Sequence, residues 1–94
     1  MMEENEKIHL YAADQAARRA ARRARANGGD DEGVFLLLLI AQEHLLEIPA
    51  YAGIWEKFHQ ADHLGELVRR LRLAQTPELN RLAEAIERER RRKQ

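Results

Sequence analysis

Residues Val34-Phe35-Leu36-Leu37-Leu38-Leu39-Ile40-Ala41 are apolar on every side of any helix they form. Such a helix has to be covered all round, and a chain of 94 residues has little with which to cover it. The pattern therefore predicts a packed all-helical domain with apolar surface left over for a copy of itself, another protein or a ligand. The run is eight residues long, well short of the ~20 that cross a bilayer, so no membrane span is expected.

Composition narrows the classes further. Sixteen basic and sixteen acidic residues cancel, which removes any overall attraction to nucleic acid or anionic membrane. Cysteine is absent, excluding disulfides and thiolate chemistry. Glu3, Glu4 and Glu6 stand where a secretory signal would be basic and then apolar. The expectation is a soluble single domain spanning 1–94, its compartment unspecified.

Helix punctuation is clear at most joints. The first helix is predicted over about 3–26, acidic at its start and stopped by Asn27-Gly28-Gly29. Asp30 or Asp31 caps a second helix over about 31–47. Pro49 breaks it, and a third helix is read over about 50–74. Thr76-Pro77-Glu78 restarts the chain as a fourth over about 77–92. Short connections predict an antiparallel four-helix bundle. The joint at Glu47-Ile48-Pro49-Ala50 lacks Gly, Asn or Asp, which leaves a tight turn or one long kinked helix open.

There is no serine, Thr76 is the sole threonine, and thirteen of the sixteen basic residues are arginine. Helical positions are filled mostly by Ala, Leu, Glu and Arg, strong helix formers. In this style the whole chain resembles computationally designed helical bundles. The resemblance implies a packed bundle and says nothing about activity.

At about 100° per residue, Ala13, Ala16, Ala17, Ala20, Ala21 and Ala24 share one stripe of the first helix, with Arg18, Arg22 and Arg25 opposite. The second helix turns Val34, Leu38, Ala41 and Leu45 inward, which leaves Leu36, Leu39 and Ile40 beside Glu43 and Glu47. The third groups Ile54, Phe58, Ala61, Gly65 and Val68. The fourth groups Leu79, Leu82, Ala83 and Ile86. The surplus on helix two predicts association, since burying a leucine gains roughly 1.5–3 kcal/mol. Tyr51, Trp55, His59 and Asp62 form an adjoining mixed aromatic ridge, either an interface anchor or a plug at the bundle's open end.

Four histidines invite a metal reading: His9, His44, His59 and His63. His59 and His63 are one turn apart, a zinc-ligand spacing. The string His59-Gln60-Ala61-Asp62-His63 resembles the His-x-x-Glu-His of inverzincin peptidases, with Asp62 where that motif has glutamate. The resemblance implies His59 and His63 as ligands and Asp62 as base, and Glu66 follows as a third ligand or an acceptor behind them. The same residues, with Arg70, also read as a solvated polar face or a partner-facing surface. Counting back from the loops brings His9 and His44 together near the Pro49 end. There they can hold zinc, or haem against the alanine stripe, or form a buried pair satisfied within the fold, or do acid–base work.

The arginines at 18–25 and the basic run Arg88–Lys93 read as helix solvation and dipole matching rather than phosphate contacts. Serine and cysteine nucleophiles are missing, and Lys7 and Lys57 are the remaining amine candidates. The leading expectation is a non-enzymatic binding or self-assembly module acting through Leu36, Leu39, Ile40, Glu43, Tyr51, Trp55, His59 and Asp62. It has no nucleic-acid or membrane partner and no resident cofactor. The alternative is a cofactor-carrying bundle that ligates zinc or haem through its histidines, with hydrolytic or redox chemistry.

Overall fold

The computed structural model describes residues 2–28, 31–57 and 62–91. These are all-α, in five helices: α1 (Glu4–Asn27), α2 (Glu32–Leu45), α3 (Pro49–Ala52), α4 (His63–Leu73) and α5 (Pro77–Arg91). No strand occurs among the described residues. No helix among them is long and apolar enough to cross a membrane.

Each boundary has a local cause. Glu4 and Glu6 in the first turn of α1 and Arg25 in its last oppose the helix dipole. Gly28, at φ 98°, closes α1 by donating its N–H to the Ala24 carbonyl. Asp31 caps α2 by accepting from the Gly33 N–H at 3.1 Å. Ile48 is extended before Pro49, which opens α3. Thr76 caps α5 by accepting from the Leu79 N–H at 3.3 Å.

The third helix expected over 50–74 is corrected. α3 ends at Ala52, and a separate helix, α4, begins at His63, where the Asp62 carboxylate caps it by accepting from the Gly65 N–H at 3.0 Å. Residues 53–57 form turns and irregular backbone instead. Phe58 and Ala61, assigned to that helix's apolar face, lie outside the described residues. Apolar periodicity from Ile54 to Val68 misled because the Asp62 cap starts a fresh helix inside it.

Contacts between helix ends give their directions. Arg23 pairs with Asp31 and His9 meets His44, so α1 and α2 run antiparallel. Arg90 pairs with Asp62 from the far end of α5, so α4 and α5 are antiparallel too. Arg22 reaches Glu89 at the closing ends of α1 and α5, so these two run parallel. Phe35–His63 and Gln42–Arg70 place α4 parallel to α2. The regular antiparallel succession expected of four helices is thus not the course the contacts trace.

The core is one cluster. Ala13, Ala17, Ala20 and Ala21 are fully buried, and their lack of bulk lets α1 pack closely against its neighbours. Val34, Leu38, Ala41 and Leu45 of α2 and Leu79, Ala83 and Ile86 of α5 complete it with Leu64, Leu67 and Leu71 of α4. A fully buried leucine contributes roughly 1.5–3 kcal/mol by leaving water, so these positions carry most of the fold.

Candidate functional site

Three features stand apart from ordinary helix packing: the outer face of α2, a histidine pair between α1 and α2, and a buried polar network beneath residues 55–57.

On α2 the inward residues are fully buried, whereas Leu36, Ile40 and Leu39 on the opposite side are 52%, 48% and 37% exposed. Glu43 and Glu47 are exposed on the same side, towards the end of α2. Leu46, just beyond the helix, and Trp55 are also open to solvent. Leucines and isoleucine at i, i+3 and i+4 make a continuous stripe, which isolated apolar surface residues do not.

His9 and His44 meet with their Nδ1 atoms 3.0 Å apart and their ring centroids 5.3 Å apart. One ring donates and the other accepts, which fixes opposite tautomers on the two imidazoles. Both are partly buried. The alanine seam beside them is closed by helix packing and offers no open slot for a macrocycle.

His63 does not join them. Its ring meets that of Phe35 in a tilted contact, centroids 4.9 Å apart, near the start of α2, about 13 Å of helix rise from His44. His59 lies outside the described residues. Among the described residues no three His, Asp or Glu side chains converge as a metal cluster. Asp62 caps α4 and receives both a 3.0 Å and a second 3.0 Å hydrogen bond from Arg90. Partial burial alone would raise its carboxyl pKa, but the Gly65 N–H, Arg90 and His63 together hold it below the ordinary value.

Arg70 is corrected from the surface to the interior, and Tyr51, which the sequence leaves as an interface anchor or a plug at the bundle's end, is buried there too. Both are 0% exposed. The Tyr51 hydroxyl donates to Gln42 Oε1 at 2.6 Å, and Arg70 donates to the same oxygen at 3.1 Å. Arg70 also donates to the Lys57 carbonyl at 2.8 Å and to Glu66 at 3.4 Å. Burial pushes the Tyr51 hydroxyl pKa up, and the nearby Arg70 charge offsets part of that. A helix face centred on Glu66 and Arg70 reads as solvated only while helix three is continuous. With α4 as a separate helix, that side faces α2 and residues 55–57. Gln42 is the signal the sequence offered, a polar residue on the same side of α2 as Leu38 and Leu45.

An open depression of about 730 Å³ crosses α5, lined by Arg18, Arg72, Arg88 and Arg91 with Glu84 and Glu89. Its mixed charges build no field of one sign.

Compared with known proteins, the chain matches no family model, no curated protein and no solved structure. Its function rests on its own chemistry.

Proposed function

We propose that the chain is a non-enzymatic self-assembly module whose α2 outer face pairs with the same face of a second copy. The observation carrying this reading is the exposure of Leu36, Leu39 and Ile40 on a helix whose other side is already fully packed. Covering the exposed half of each gains about 1 kcal/mol, on both copies. Three such gains on each copy sum to about 6 kcal/mol and only just exceed the smallest cost of association, so the pair is expected to be weak and to form only at high concentration.

Charge does not select the orientation: exposed acids mark both ends of the face, Glu32 at the start of α2 and Glu43 and Glu47 towards its end. A parallel pairing stacks each glutamate on its own copy, and an antiparallel one brings Glu43 and Glu47 towards the partner's Glu32.

Light scattering across a dilution series tests the reading. The expected result is a monomer–dimer equilibrium abolished by Leu36→Glu or Ile40→Lys with unchanged helical content. A strict monomer at high concentration overturns self-assembly, and capture of a different partner protein through this face would replace the second copy as occupant. Orientation is read by mixing Leu36→Cys and Glu43→Cys variants, possible because the chain has no other cysteine. Antiparallel pairing favours the mixed disulfide, parallel pairing the two like ones.

A further inference from the structure

We propose that His9 and His44 form a two-histidine chelate for a divalent late first-row transition ion, independently of any assembly through α2. The starting point is geometric. The Nδ1 atoms lie 3.0 Å apart while the ring centroids lie 5.3 Å apart, so the rings extend away from each other and their nitrogens face inward. A metal–imidazole bond is about 2.0–2.1 Å, and at a tetrahedral angle two of them set the nitrogens about 3.3 Å apart. Admitting an ion asks for an opening of about 0.3 Å and a rotation of the rings towards a common point.

The backbone holds both ligands in register. His9 belongs to α1 and His44 to α2, and the fully buried Ala13 and Ala41, one turn and one residue less away respectively, pack the two helices together. The pair is pre-organised across the hairpin, which reduces the entropy lost when the ion binds. Glu6, Glu43 and Glu47 lie within about a turn of the two imidazoles in sequence, against a single Lys7, so the surrounding charge favours a cation.

The protons balance without a leaving group. In the free pair one imidazole carries its proton on Nδ1 and the other on Nε2. On binding, the first moves its proton to Nε2 through solvent, both Nδ1 lone pairs face the ion, and no proton is lost from the neutral pair. Water fills the remaining coordination positions. Imidazole nitrogen with open positions suits Cu²⁺ first, then Ni²⁺ and Zn²⁺, in the usual order of stability.

The test is titration of the full chain with Cu²⁺ and separately with Zn²⁺, followed by calorimetry and by histidine ring ¹⁵N shifts. One ion per chain is expected, with the His9 and His44 resonances moving and that of His63 unmoved. His9→Ala and His44→Ala should each weaken Cu²⁺ at least tenfold. The double variant should be no worse than either, because one substitution already destroys the chelate. Circular dichroism confirms that the variants stay helical, and the shift measurement needs no variant. Binding that survives His44→Ala, or that moves His63 or His59 instead, overturns the proposal, as does the absence of any shift at His9 and His44.

Discussion

Arg70 and Gln42, 28 residues apart in sequence, share a hydrogen bond of 3.1 Å in the interior. It ties the middle of α4 to α2 at a point where both helices are otherwise apolar. Because Arg70 also donates to the Lys57 carbonyl, and the neighbouring Arg69 pairs with Glu56 at 2.9 Å, the irregular segment before α4 is held by two consecutive arginines. A guanidinium suits this position, since it presents several donors in a fixed plane and keeps its charge when buried.

Replacing Arg70 by methionine is expected to destabilise the fold by about 3 kcal/mol, because it removes the donor to the Lys57 carbonyl and the ion-pair partner of the largely covered Glu66. Residues 55–57 should loosen first. Urea denaturation reads the energy, and trypsin cleavage after Lys57 reads the loosening. A variant that loses stability without faster cleavage there would show that Arg70 supports α2 and α4 alone.

Much of the architecture is written in local signals. The Asn27-Gly28 stop, the Asp31 and Thr76 caps and Pro49 set boundaries within a residue or two of those expected. The inward residues of α2 and the meeting of His9 with His44 follow from helical spacing and hairpin counting. The break in the third helix did not follow, because Tyr51, Lys57 and Arg70 are arranged by a tertiary network that periodicity does not encode. Spacing alone makes Asp62 a surface or catalytic acid, although an acid three residues before Gly65 is also a capping signal. Spacing shows which side of a helix a residue occupies, but a charged residue on that side is buried only when distant backbone groups come to meet it.

Tyr51 makes the fold sensitive to alkali. Its hydroxyl pKa is raised from the ordinary 10.0, chiefly by burial. A group whose pKa rises on folding adds stability below its unfolded value and loses it as pH climbs above that value. The native chain should therefore weaken above about pH 10. Tyr51→Phe should cost about 1 kcal/mol at neutral pH through the lost bond to Gln42, yet show a shallower alkaline decline. Thermal melts between about pH 7 and pH 11 compare the two slopes.

At the acid side the sign reverses. The Arg23 guanidinium first, then the local N–H groups, hold the Asp31 carboxyl below its ordinary 3.8, and Asp62 is lowered as described. Carboxyls whose pKa falls on folding stabilise the native state above their unfolded value, and the gain disappears as pH drops through the folded one. Stability should decline below about pH 4. Asp62→Asn should be less stable than the parent at neutral pH and converge with it in acid. Equal gaps at both pH values would mean that the carboxylate's charge contributes nothing through Arg90.

Gln75 is the one described non-glycine residue at positive φ, 57°, and it follows Ala74, the C-terminal cap of α4. This is the left-handed position at which helices commonly stop, and a side chain there meets its own backbone at a cost of roughly 1–2 kcal/mol. Glycine avoids that contact but gains freedom in the unfolded chain, which returns part of the benefit. Gln75→Gly should therefore stabilise the fold by about 0.5 kcal/mol, seen as a higher urea midpoint with an unchanged slope. Gln75→Val should move the midpoint the other way, because a β-branched side chain tolerates this backbone region least. If both variants fell equally, the Gln75 side chain itself would be holding the α4–α5 turn, and the conformational argument would fail.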